Sequence, residues 1–167
     1  MTNTPIITRP PKCKTKVDLA FLLDSSHSIS SNYNKVKSLL KSIARTFGVT
    51  KYYSRAGVIT FSDDAICSIK LNDCTDIECF DTAVDAIALM GGKTRIDRGL
   101  CVAQESFFIK ENGAREGACK VVVLLTDGSQ THAQDVKDPA KVADDLRKEG
   151  VNVVVVGKSI IVLSCYL

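Results

Sequence analysis

Three short stretches of the chain are apolar at nearly every position: Val17–Leu23 (VDLAFLL), Lys120–Thr126 (KVVVLLT) and Val151–Val156 (VNVVVV). Runs of this length, rich in Val, Leu and Ile, predict strands covered on both faces, as in a parallel sheet. Between them the period lengthens. Val36, Leu39, Leu40, Ile43 and Phe47 form the stripe of an amphipathic helix, with Ser30 or Ser31 in position to cap it. Phe80, Ala83, Val84 and Ile87 predict a shorter helix stopped by Gly91-Gly92, and Ile96, Leu100, Ala103 and Phe107 another. Asp138-Pro139 starts a further helix, Val142 and Leu146 give its buried side, and Gly150 ends it. Ala56–Phe61 and Ile66–Leu71 flank the turn cluster Ser62–Ala65 and predict a hairpin, which makes one edge strand antiparallel. Strands alternating with helices imply a doubly wound α/β fold, mostly parallel, with helices on both faces.

Composition narrows the function classes. The 167 residues, 45% hydrophobic and 25% charged, suit one domain with a self-sufficient core. No run approaches the roughly 20 apolar residues of a membrane span, and residues 1–11 (MTNTPIITRPP) lack a secretory apolar stretch, so membrane insertion is not expected. Residues 1–15, with Pro10-Pro11, read as a leader. The net charge of +3 hides an asymmetry: residues 1–60 hold ten Lys/Arg against two acids. Aromatics are only 6% and Trp is absent, which argues against a nucleic-acid partner. Lys37, Lys41 and Arg45 fall on one helical face, expected to be solvated unless it meets sulfated glycans or an acidic surface. Seven cysteines point to an oxidising, extracellular compartment and to a few disulfides plus buried thiols, and their spacing makes no zinc site.

Ligands of doubly wound sheets collect outside the carboxyl ends of the strands. There the chain reads Asp24-Ser25-Ser26-His27-Ser28, then Gly91-Gly92-Lys93-Thr94, then Thr126-Asp127-Gly128. Each segment alone is ordinary turn or capping chemistry. Together they offer five oxygen-bearing side chains: Asp24, Ser26, Ser28, Thr94 and Asp127. Hard oxygen donors without thiolate or imidazole suit Mg²⁺ first, and Mn²⁺ or Ca²⁺, rather than zinc or copper. Two carboxylates only neutralise a divalent ion, which keeps it electrophilic toward an acidic group from outside. His27 and His132 flank these segments and are read as surface residues.

At these residues the chain resembles the von Willebrand factor type A domain, including the inserted domain of integrins. The resemblance runs from about Val17 to Gly157, with Arg55–Ser62 (RAGVITFS) similar to the family's second strand. It implies a metal-ion-dependent adhesion site formed by Asp24, Ser26, Ser28, Thr94 and Asp127, and no catalysis. The implied partner is an extracellular matrix or cell-surface protein presenting an acidic residue, with collagen foremost. It divides the chain into a leader (1–15), the domain (16–157) lacking the last helix-strand-helix elements, and an apolar tail (158–167) unlike the family. Truncation would withhold the family's switch and leave part of the sheet uncovered. The family often pairs a cysteine at the place of Cys13 with one after the final helix, and has another threonine near the site where Ile96 stands. Two other classes compete. A phosphohydrolase of the haloacid dehalogenase type would want an aspartate at Ser26, and an intracellular assembly module would not need seven cysteines.

Overall fold

A computed structural model describes residues 16–157. Five strands form one sheet: β1 (Val17–Asp24), β2 (Ser54–Phe61), β3 (Ala65–Ile69), β4 (Cys119–Leu125) and β5 (Val151–Val156), in the order β3-β2-β1-β4-β5. β3 runs antiparallel to β2, and the remaining pairs are parallel. Four helices, α1 (Tyr33–Phe47), α2 (Ile77–Ala86), α3 (Ile96–Val102) and α4 (Pro139–Lys148), connect them. The doubly wound α/β expectation holds, with its antiparallel edge strand.

The side-chain alternation of β1 shows why both faces must be covered. Leu19, Phe21 and Leu23 pack toward Leu40 and Ala44 of α1 and Phe80 and Val84 of α2. Ala20 and Leu22 face the other layer, with Leu100 of α3 and Val142 and Leu146 of α4. β5 is less covered: Val154, Val155 and Val156 are only half-buried. The tail after Gly157 and the cysteine expected at position 13 to pair beyond the last helix lie outside the described residues.

Several local expectations need correction. Ser30 and Ser31 cap nothing; they lie inside a 3₁₀ turn, His27–Asn32, that leads into α1. α2 ends at Ala86, well before Gly91-Gly92, and Ile87 is already extended. The buried Lys37 ammonium explains this stop, because it donates to the carbonyls of Asp85 (3.0 Å) and Ile87 (3.1 Å) and satisfies the helix end. The face of Lys37, Lys41 and Arg45 is therefore only partly solvated: Lys37 is buried, Lys41 is half-buried and Arg45 stays exposed. It packs on α2, where Lys41 pairs with Asp85 at 2.7 Å and Arg45 pairs with Asp81. The helix from Ile96 stays α-helical only to Val102 and passes through a π-turn over Ala103–Phe107. Cys74 and Cys79 form a disulfide, Cys119 is also disulfide-bonded, and Cys67 and Cys101 are free thiols.

Candidate functional site

β1 is central, with β2 on one side and β4 on the other, so the chain leaves the carboxyl ends of β1 and β4 in opposite directions. A crevice opens at that divergence. The parallel register sets Leu23 beside Leu125, so the next residues, Asp24 and Thr126, emerge side by side.

All five expected side chains meet there. Asp24 is fully buried, and its Oδ1 accepts the Ser26 N–H at 2.9 Å, which folds the loop back over the strand end. Ser26 and Ser28 share a hydrogen bond at 3.0 Å, Thr94 Oγ1 donates to Ser26 Oγ at 3.1 Å, and Ser28 Oγ donates to Asp127 Oδ1 at 3.5 Å. Gly128 does not have a positive φ, so no left-handed turn requires glycine there. Its missing side chain instead leaves space: a Cβ there would lie 3.5 Å from Ser28 Oγ and 3.6 Å from Thr94 Oγ1.

The loop carrying Thr94 is held from three sides. Gly92 turns in the left-handed region (φ 84°), and a Cβ on it would displace the Asp63 carboxylate. Behind it, Ser25 O accepts from Gly91 N (2.8 Å), Ser25 Oγ accepts from Met90 N (2.7 Å), and Tyr33 Oη donates to Ala88 O (3.2 Å). Burial pushes the Tyr33 phenol up, so it remains a donor throughout the neutral range. On the far side, Thr94 N donates to Thr131 Oγ1 (3.1 Å) and Thr94 O accepts from Thr131 N (2.9 Å).

A buried charged cluster supports this zipper. Arg95 Nε and Nη2 donate to the two oxygens of Asp97, each at 2.9 Å, and Nη1 reaches Asp135 at 3.2 Å. Asp97 also accepts from Gln130 Nε2 (2.8 Å) and Lys137 N (3.3 Å). Burial alone would raise the Asp97 carboxyl, but the guanidinium and these donors outweigh it and hold it below the usual carboxylate range.

Thr126 was missed in the sequence. Its hydroxyl donates to Asp24 Oδ2 at 2.5 Å and accepts from Gly128 N at 3.2 Å, so it links both carboxylate-bearing loops. The signal was present: a hydroxyl between a buried strand and an aspartate. Ile96 is buried in the apolar layer, and Thr126 and Thr131 provide the hydroxyl contacts here. His27 and His132 are exposed. Among the described residues no three His, Cys, Asp or Glu side chains gather into a metal cage, so a cation here would depend on hydroxyl oxygens.

Residues 18–162 match the family model of the von Willebrand factor type A domain. Human vitrin is 31% identical over 150 residues, covering 89% of this chain and 21% of vitrin. The human collagen alpha-1(XXI) chain is 33% identical over 135 residues, 80% of this chain and 14% of the collagen chain. The chain therefore spans about a fifth or less of these two relatives. Among solved structures, proximal thread matrix protein 1 from the mussel byssus, described with a zinc-occupied MIDAS motif, superposes with a TM-score of 0.77 at 26% identity, covering 87% of this chain and 38% of that one. With its sheet order, its strand-end site and a family match over most of its length, the chain belongs to the von Willebrand factor type A domain family.

Proposed function

We propose that this module binds proteins through a divalent cation held by Asp24, Ser26, Ser28, Thr94 and Asp127. The observation that carries the reading is the spacing of the oxygens. Neighbouring ligands of an octahedral ion with bonds near 2.1 Å lie about 3 Å apart. The Ser26–Ser28 and Thr94–Ser26 oxygen pairs, at 3.0 and 3.1 Å, already have that separation. The donors are all oxygen, as a hard cation requires, and Mg²⁺ is the ion the set suits best. Mn²⁺, Ca²⁺ and, given the mussel protein's zinc, Zn²⁺ are the alternatives to test.

Asp24 and Asp127 would together neutralise the ion, and the three hydroxyls add no formal charge. The ion would keep its attraction for a carboxylate supplied by a partner, so binding and not turnover is the natural outcome. The partner we favour is a matrix or cell-surface protein with an exposed Glu or Asp, collagen foremost. Relatives named as vitrin, collagen chains and integrin alpha-1 support that setting, as do the disulfide-bonded cysteines.

Thermal unfolding with each cation or with chelator tests the site, because an ion that binds only the folded state raises the midpoint by mass action. The rise is expected in the parent and absent when both Asp24→Ala and Asp127→Ala are present. Immobilised collagen then tests the partner: binding is expected with cation and lost with chelator. Cation-independent retention on collagen would overturn the bridging mechanism.

A further inference from the structure

At the other end of the sheet, where β1, β2 and β4 begin, Lys16, Lys51, Tyr52, Tyr53, Arg55 and Arg115 line an open cleft of about 590 Å³. The eight residues of β1 separate this cleft from Asp24 by roughly 25 Å. None of the six lining residues is acidic. The acid beneath, Asp18, is fully buried and already engaged: it accepts from Arg115 N (2.8 Å) and Arg115 Nε (2.9 Å). Arg115 is thus fixed and largely neutralised, whereas Lys16 and Lys51 are exposed.

The tyrosines are the second observation. Tyr52 and Tyr53 are 70% and 67% exposed, although their main chain is firmly held. Arg115 donates to Tyr52 O and Tyr53 O, each at 3.0 Å, Val17 N donates to Tyr53 O at 3.0 Å, and Tyr53 N donates to Thr50 Oγ1 at 3.1 Å. A loop pinned through its backbone while two neighbouring rings face water is organised for contact, since ordering those rings on binding costs little further entropy. Folding alone gives no reason to display them.

We propose that this cleft binds sulfated polysaccharide. Sugar rings present flat C–H faces that stack on tyrosine, and sulfates spaced along the chain pair with Lys16, Lys51 and Arg55. Single-stranded nucleic acid has comparable chemistry, a flat ring beside an anion. The disulfide-bonded cysteines fit an oxidising, extracellular setting, where sulfated glycans are the abundant polyanions. The choice of polyanion rests on the extracellular setting proposed above; the cleft itself does not depend on the cation site.

The test is binding of a heparin-derived dodecasaccharide, in chelator and at graded salt. An unsulfated heparosan of equal length and a single-stranded oligonucleotide of matched charge serve as comparison ligands. The parent is expected to bind the sulfated chain and not heparosan. Combining Lys16→Ala with Lys51→Ala is expected to weaken binding about ten-fold and reduce the salt slope by about two. Combining Tyr52→Ala with Tyr53→Ala is expected to weaken it about five-fold with the slope unchanged. The same charge removed elsewhere, Lys35→Ala with Lys148→Ala, is expected to change it by less than about two-fold. No binding by the parent, equal losses in the two lysine pairs, no loss in the tyrosine variant, or tighter binding of the oligonucleotide would each overturn the proposal. Chelator keeps this test independent of the cation site, whose own response is the thermal shift described above.

Discussion

Near the start of the central strand a buried aspartate holds an arginine, Asp18 with Arg115 at 2.7 Å, and near its finish Asp97 holds Arg95 at 2.9 Å. The two pairs serve different ends. Arg115 spends its remaining donors on the carbonyls of Val17, Tyr52 and Tyr53, so it fixes a main-chain loop and leaves side chains on display. Arg95 and Asp97 instead tie together side chains and backbone of two loops, through Asp135, Gln130 and Lys137, and thereby bring small hydroxyls to a buried carboxylate. One end offers exposed lysines beside aromatic rings on a pinned main chain. The other offers neutral donors and carboxylate, an arrangement that needs a cation to complete it.

The largest effects are expected from breaking these pairs. Asp18→Asn takes the buried carboxylate from Arg115, and Asp97→Asn leaves the buried Arg95 with the exposed Asp135 as its remaining counter-charge; breaking such a pair costs about 3–5 kcal/mol. The comparison sharpens if the damage stays at its own end. Urea unfolding gives the stability loss, and at low temperature Asp97→Asn should lose the cation response while retaining the dodecasaccharide, with Asp18→Asn showing the reverse. Loss of both responses in either variant would mean the two ends unfold as one unit.

Acid separates the ends by a gentler route. The Asp97 carboxyl is held low in the folded chain, so its contribution to stability is complete above the ordinary aspartate value of about 3.9. It is lost as the pH falls from there through the lower folded value. The parent is expected to lose stability along that limb, and Asp97→Asn, already without the charge, is expected to show a flatter one when unfolding midpoints are measured from pH 5 to pH 2.

Thr126→Val is a smaller change confined to the cation end. It removes the donor to Asp24 Oδ2 while keeping shape, for about 1–2 kcal/mol in stability. Partners that orient ligands matter more to the ion than to the fold, so cation affinity is expected to fall about 10- to 100-fold in calorimetric titration. Dodecasaccharide binding should not move.

What could be read in the sequence follows the range of the interactions. The runs at Val17–Leu23 and Val151–Val156 announce strands because the pattern is local, and four of the five site residues sit at or just beyond segments that such patterns delimit. The end of α2 could not be read from Gly91-Gly92, because the group that satisfies it is Lys37, 48 residues from Asp85 in sequence. For the same reason the pattern of α1 does not show that its polar stripe packs on α2. Thr126 reaches Asp24 across 102 residues, and Arg95 reaches Asp135 across 40. The one-dimensional pattern marks such a group only where it adjoins a buried strand, as Thr126 does, and elsewhere does not distinguish a buried polar group from a surface one.

The smallest expected effect is the most discriminating about access. Gly128→Ala meets no forbidden dihedral, because Gly128 does not occupy the left-handed region. The new methyl would sit at ordinary contact distance from Ser28 Oγ and Thr94 Oγ1. Restricting the unfolded chain should then stabilise the cation-free protein by about 0.4–1 kcal/mol. The same methyl covers the side from which an ion and a partner's carboxylate would arrive, so the thermal shift produced by Mg²⁺ should shrink while the cation-free midpoint rises. Opposite movement of those two midpoints at one substitution would show that Gly128 is kept for approach to the hydroxyls and not for the turn. If both midpoints rise together, the open side of the site lies elsewhere, and the cavity of about 340 Å³ bounded by Asp127, Leu100, Ala143 and Val153 becomes the route to test next.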